Sequence, residues 1–410
     1  MRINLKLNHF IFPFVIIFLI SCKKEASKLE HPGVYFYPTE FNYFKYSVSG
    51  ITITNSTISF NYGKVSIKPN THFGRITYDV KNQTVVQNEF EYADTAKVIT
   101  GLISNNKDKF LGYFLNPLNY TIDSISQNRV YNMTLLLLDN QFNTLNEKRL
   151  NIGSIRHDFT GRESQDLNNN LIKPLGNGNF IVSTATANLW SQNYLMCFDE
   201  NLNEKWRIKI ENALKATDDY CLKDILVSEN AIYLLQNKIN YDGTYDYYRV
   251  KKYDYDGNLL NVTSNSTLGS VANTILPSKS GYVVIGSQFN ALTDYKTFFS
   301  TFDLNNNYIS TTVLGSIINP QTNLIESPVI LSNVIDCNNA YYYTTSGSQL
   351  VKVNRLFEME WVKPMVIPSY GLEGYLVNTD ENIVYIENTY WIGIPGMAFI
   401  KMDFEGKEVK

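Results

Sequence analysis

Residues 249–262 read RVKKYDYDGNLLNV: apolar positions up to Tyr253, an acid at Asp254, a Gly-Asn turn, then a second alternating run. Alternation over so few residues marks a half-buried strand, and Gly and Asn supply the positive φ that tight hairpins use. The pattern recurs as LLLLDNQFNTLNEKRL around Asp139, YLMCFDENLNEKWRI around Asp199 and STFDLNNNYISTT around Asp303. It returns as LVKVNRLFEMEWVK around Asn354 and FIKMDFEGKEVK around Asp403, with a fainter copy, GRITYDVKNQTVV, at Asp79. Copies lie about 50–60 residues apart. Between them sits a second hairpin signature, seen in LIKPLGNGNFIVST, DILVSENAIYLLQ, TILPSKSGYVVIGS, NVIDCNNAYYYTT and LVNTDENIVYIEN. Two hairpins per unit make four strands. Four strands at this period predict an all-β chain folded as one β-propeller, with seven blades expected and six or eight as alternatives.

The last unit stops just as its outermost strand should begin. A ring must join its ends or leave strand edges bare. The alternating segments within residues 33–62 (GVYFYP, FKYSVS, ITITNSTISFNY) are the candidates for the missing strands.

Trp206 and Trp361 stand seven residues after Asp199 and Asn354. An acidic turn followed by a Trp on the outer strand resembles the quinoprotein-like propeller repeat, a WD40-like architecture, over roughly residues 70–410. The Ala and Thr-Gly-Lys parts of that motif are absent, as is any Trp-Asp dipeptide. The resemblance therefore implies a fold and no quinone; no cofactor and no metal is expected. Packing between blades is the expected role of both tryptophans.

The N-terminus carries a different signal. Arg2 and Lys6 precede an apolar run from Phe10 to Ile20 that ends in Leu19-Ile20-Ser21-Cys22. The run is shorter than the ~20 residues a membrane span needs and reads as a signal-peptide core. Its last four residues resemble the lipobox of bacterial lipoproteins. That resemblance implies removal of residues 1–21, acylation (palmitate included) at Cys22, and attachment to a membrane. By the same analogy Lys23, rather than Asp, points to the outer membrane. The expected plan is a leader at 1–21, a lipidated polar tether at 22–32 (KKEASKLEHP after the cysteine), and the propeller at 33–410.

The net charge is −3, and losing Arg2 and Lys6 makes the remainder more acidic. No basic footprint for nucleic acid is present. With Cys22 acylated, Cys197, Cys221 and Cys337 remain, without a C-x-x-C spacing. No disulfide framework or zinc site is implied, and a Cys197–Cys221 bridge stays open.

In an up-and-down blade the connections alternate between two faces. The short turns share one face. The longer links, Asn116–Asn132, Asn151–Asn170, Glu211–Tyr220, Asn237–Asp246, Gly315–Ser332 and Pro364–Gly374, fall on the other, where a rigid scaffold carries a binding surface. The richest link holds Arg156, His157, Asp158, Arg162, Glu163 and Asp166. Trp190, Tyr241, Tyr245, Tyr390 and Trp391 are aromatic candidates for the same face. The expected function is a non-catalytic binding platform at a bacterial envelope, engaging an envelope protein or a glycan. The alternative is a carbohydrate-active hydrolase using Glu163 or Asp166 with His157, since paired carboxylates are what glycoside cleavage requires. Asp254–Asn258 looks like the start of a calcium loop but lacks the downstream Glu, so a plain hairpin turn is expected.

Overall fold

The computed structural model describes residues 34–38, 49–54, 56–64, 71–92, 98–104, 109–122, 129–153 (without 140 and 142), 172–183, 193–210, 219–239, 245–265, 270–291, 294–315, 317–318, 325–326, 330, 333–345, 349–365, 374–391 and 394–409. They form seven four-stranded antiparallel sheets and one two-stranded hairpin. Blade 1 runs from Ser49 to Tyr92, blade 2 from Val98 to Gly153, blade 3 from Ile172 to Ile210 and blade 4 from Asp219 to Asn265. Blade 5 runs from Ser270 to Val313 and blade 6 from Ile335 to Pro364. Blade 7 takes three strands from Gly374–Met402 and its outermost from Val34–Pro38, which pairs with Ile394–Met402. The expected propeller is therefore present, with seven blades rather than six or eight.

Ring closure follows from the core. Apolar clusters fill the seams between successive blades, as with Leu111, Leu135, Phe180 and Phe198 between blades 2 and 3. One cluster joins blade 7 to blade 1 through Ile58, Ile76, Tyr78, Val384 and Phe399. There Tyr78 stacks on Phe399 at 4.3 Å, and Tyr35 of the closing strand stacks on Tyr78 at 5.7 Å. The seam between blades 1 and 2 includes the Arg75 guanidinium over the Phe110 ring at 5.2 Å. Burying both faces of every sheet is what the long apolar runs in the middle strands require.

The recurring acid explains itself in the outer hairpins. Asp199 Oδ1 accepts from the backbone N–H groups of Asn201 and Asn203 at 2.8 Å each, and Oδ2 accepts from Asn203 Nδ2 at 2.9 Å. Asp139, Asp254 and Asp303 repeat this with Asn143, Asn258 and Asn307. In the Asn354 turn Oδ1 accepts from the Glu358 N–H while Nδ2 donates to Glu358 Oε2, and Asp403 accepts from the Glu405 and Lys407 N–H groups. Asp79 caps a related turn through Lys81 and Asn82. The Asp254 carboxylate is thus committed to its own turn, as a hairpin reading expects.

The fourth residue of these turns has positive φ and tucks back against the preceding blade. Leu202 (φ 64°), Asn306 (69°) and Phe357 (61°) are such wedges. Leu202 enters the seam with blade 2, and Phe357 stacks on Phe299 of blade 5 at 5.1 Å. Two turns carry glycine instead, and both lie beneath a tryptophan. A Cβ on Gly257 (φ +84°) would meet Trp206 at 2.9 Å, and one on Gly406 (φ +72°) would meet Trp361 at 2.6 Å. The tryptophans are blade-to-blade packing residues, as expected.

Three sequence expectations change in detail. Asn116–Asn132 is mostly not a loop: the strands Phe110–Ile122 and Arg129–Leu138 continue into it as a long hairpin arm. Gly315–Ser332 contains the two-stranded hairpin Ile317–Ile318/Ile325–Glu326. Cys197 is a buried free thiol, so no Cys197–Cys221 bridge exists. Burial pushes the Cys197 thiol up to about 11, which makes it inert.

Candidate binding face

Within each blade the turns after the first and third strands share one face. The turns after the second strand, and the links between blades, share the other. The fastened Asx turns occupy the first face. The second is bordered by the ends of the second and third strands, and polar residues enter the buried core there.

These polar positions share a register. At the start of the second strands Ile232, Tyr282, Tyr341 and Ile383 hold equivalent points, opposite the residue before the Asx turn in blades 4 to 7. Four residues further on stand Gln236, Gly286, Thr345 and Glu387. Gln236 is fully buried and accepts from Arg249 Nε at 3.0 Å. Glu387 is 1% exposed and neither carboxylate oxygen has a hydrogen-bond partner. Burial raises its carboxyl to about 8, so at neutral pH it is largely a protonated acid.

Neighbouring seams are fastened through amides and one carboxylate. Asn237 of blade 4 exchanges two bonds with the backbone of Ala272 in blade 5, both at 2.9 Å. Asn333 does the same with Leu376 of blade 7, at 2.9 and 2.7 Å. Asp224, on the innermost strand of blade 4, accepts from Thr274 Oγ1 at 2.7 Å and pairs with Lys173 of blade 3 at 3.6 Å. One carboxylate therefore ties three blades beside the central axis.

Most sequence-based candidates cannot be placed. Cys22, Arg156, His157, Asp158, Arg162, Glu163, Asp166, Trp190 and Tyr241 lie outside the described residues. Tyr245 opens the third strand of blade 4, paired with Ile239. Tyr390 and Trp391 end the second strand of blade 7, opposite Pro395 and Ile394. These three backbone positions share the long-link face but sit three blades apart, so they do not form one cluster. Their side chains are outside the described set. Among the described residues no group of His, Cys, Asp and Glu is arranged to hold a metal ion.

The polar register itself is a signal visible in sequence. Each second strand is an apolar run ending in a polar residue: LLQN, VIGS, YYTT and YIEN. Exposed apolar residues also stand on the outermost strands of blades 4 and 5: Leu259, Leu260 and Val262, then Tyr308, Ile309 and Val313.

No family model matches the chain, and no curated protein matches it. Among solved structures it is similar to BamB from Moraxella catarrhalis, at 11% identity and a TM-score of 0.45, covering 86% of this chain and 82% of that one. It is also similar to the β-propeller domain of the Trilobed protease from Pyrococcus furiosus, described as having an open velcro topology. There the identity is 12% and the TM-score 0.46, with 90% of this chain and 96% of that one covered.

Proposed function

We propose that this chain is a non-catalytic binding scaffold of a bacterial cell envelope, lipid-anchored at the outer membrane and engaging a protein partner through its long-link face. In this reading residues 1–21 are removed, 22–32 form the tether from the Cys22 lipid, and 33–410 form the scaffold. The observation that carries it is the difference between the two faces. One is built from near-identical turns, each fastened by its own Asx cap. The other is bordered by links of unequal length. Rigid scaffolds with variable links on one face are how propellers present binding surfaces.

Two measurements test the reading. Cys22→Ala is expected to move the protein from the membrane to the soluble fraction, because acyl chains supply the attachment. Unchanged detergent partitioning would remove the anchor from the proposal. Crosslinking and pulldown from solubilised membranes should then recover one envelope protein with the wild type, while a glycan array stays silent. Polysaccharide turnover that disappears in Glu163→Gln would replace the scaffold reading with the hydrolase.

A further inference from the structure

The seam between blades 5 and 6 differs from its neighbours. Its floor is apolar, made by Val283, Ile285, Phe299, Tyr341, Val351 and Val353. Towards the long-link face the lining turns polar. Ser287 and Thr297 are cross-strand partners on blade 5, on the face that also carries Ile285 and Phe299. Opposite them on blade 6, Thr345 receives its backbone bond from the far side of the hairpin, Thr345 N–H to Gln349 C=O at 3.0 Å. Tyr343, two residues earlier, points the same way and lies beside the Thr297 hydroxyl.

Four of these side chains are almost sealed: Ser287 and Thr345 are 3% exposed, Gln349 1% and Tyr343 0%. Yet Ser287 Oγ, Thr345 Oγ1 and both amide atoms of Gln349 make no hydrogen bond within the protein, and the one group set against Tyr343 OH is the Thr297 hydroxyl. Gln236 and Glu387, at the equivalent register in blades 4 and 7, are single cases by comparison. A buried polar atom without a partner costs about as much as a lost hydrogen bond, and native structures hold few. Concentrating four in one seam is explained by something that pairs with them.

Two described residues of the link that follows blade 5 bond to this patch. The link leaves blade 5 with Leu314 N–H bonded to Thr297 C=O at 2.8 Å, and reaches blade 6 with Ile330 bridging Thr345.

We propose that the seam between blades 5 and 6 is a built site for a small uncharged hydroxylic guest, held by Ser287, Tyr343, Thr345 and Gln349. The lining selects the chemistry. It offers three hydroxyls that both donate and accept, and one amide with two N–H donors and an accepting oxygen, with no ionised group among them. Burial raises the Tyr343 phenol, which keeps it neutral. An anion or a cation would find no countercharge there, whereas hydroxyl groups match the lining. Two sources share that chemistry, solvent water and a neutral polyol. The site is independent of the lipid anchor and of any partner on the open face.

Thermal unfolding of the full chain decides the matter by sign. If a guest pairs with the amide, Gln349→Leu strips the guest of its partners and lowers Tm by a few degrees. Tyr343→Phe, a milder change, lowers it less. If the amide is a bare orphan, both variants melt higher than the wild type, and the proposal is overturned. D-glucose then separates the sources. Polyols stabilise most proteins by exclusion, so the informative quantity is the wild-type shift minus the Gln349→Leu shift. A positive difference, with sugar oxygens in the seam of a soaked crystal, identifies a polyol. Equal shifts, with ordered water on the four side chains, identify water. Crystals in which those side chains have no oxygen within hydrogen-bonding distance would also overturn it.

Discussion

Glu387 is the residue at which this fold stands furthest from the rules of its own core. An acid that is sealed and unpartnered can be carried only in its protonated form. Its carboxyl titrates near 8 in the fold against 4.5 as the ordinary value. Between those two values the unfolded chain has released the proton and the folded chain still holds it. The folded state therefore binds more protons, and stability falls as pH rises, by about 1.4 kcal/mol per pH unit for one site. The loss begins near pH 4.5 and is complete above pH 8. Glu387→Gln keeps the shape and cannot ionise. Its Tm is expected to lose that slope, so that the variant outlasts the wild type at pH 9 and the gap narrows on acidification. Parallel Tm curves for the two proteins would show that Glu387 is not the group responsible.

At the scale of the element, the outer hairpins form one interlocked set. In three of these hairpins the residue seven places after the Asx cap donates to the next blade's turn. Asn146 Nδ2 donates to Asn201 C=O at 2.5 Å, Trp206 Nε1 to Tyr255 C=O at 2.7 Å, and Asn261 Nδ2 to Asn305 C=O at 2.9 Å. The donor's size matches the wedge it meets. Asn146 and Asn261 face turns whose fourth residues are Leu202 and Asn306, whereas Trp206 and Trp361 face Gly257 and Gly406. Gly257→Asn tests this, because Asn tolerates positive φ and the remaining penalty is the collision with Trp206. A loss of about 1–3 kcal/mol is expected. Adding Trp206→Asn should restore part of it despite removing an indole, since contacting residues couple by about 0.5–3 kcal/mol. Gly176→Ala is the control: its Cβ would meet nothing within 4 Å. Strict additivity of the two substitutions would show that donor and wedge are not matched. The same hairpins show why the fold is legible in sequence. The Asx cap labels each copy chemically, and the apolar runs on either side are continuous. Blade 1 is faint because its Asp79 turn bonds Asn82 rather than an Asn four residues on. The polar seam is not legible in the same way. Ser287 and Gln349 belong to different blades, and they meet only once ring and register are fixed.

Across the whole molecule, stability depends on how the chain's two ends share one edge. The turn at Asp403–Lys407 returns the chain along Ile394–Met402, where Glu408 bridges Met402 and Val409 N–H donates to Lys401 C=O at 3.0 Å. Val34–Pro38 continues along that edge, from Val34 opposite Ile400 to Pro38 opposite Gly396. The outermost strand of blade 7 is thus composite, and only its N-terminal part brings Tyr35 onto Tyr78 of blade 1. Each seam couples neighbours alone, so without this strand blades 7 and 1 are joined only by the side-chain cluster of their seam, and blade 7 keeps a bare edge. Removing residues 34–38 is expected to lower Tm by several degrees. It should also broaden the transition, with the van't Hoff enthalpy falling below the calorimetric one. Tyr35→Ala leaves the backbone pairing intact and removes the ring. It should cost about 0.5–1.5 kcal/mol for the lost aromatic contact, plus its burial, while keeping one cooperative transition. A truncated chain that melts as sharply and as high as the intact one would mean that the seam between blades 7 and 1 closes the ring without it.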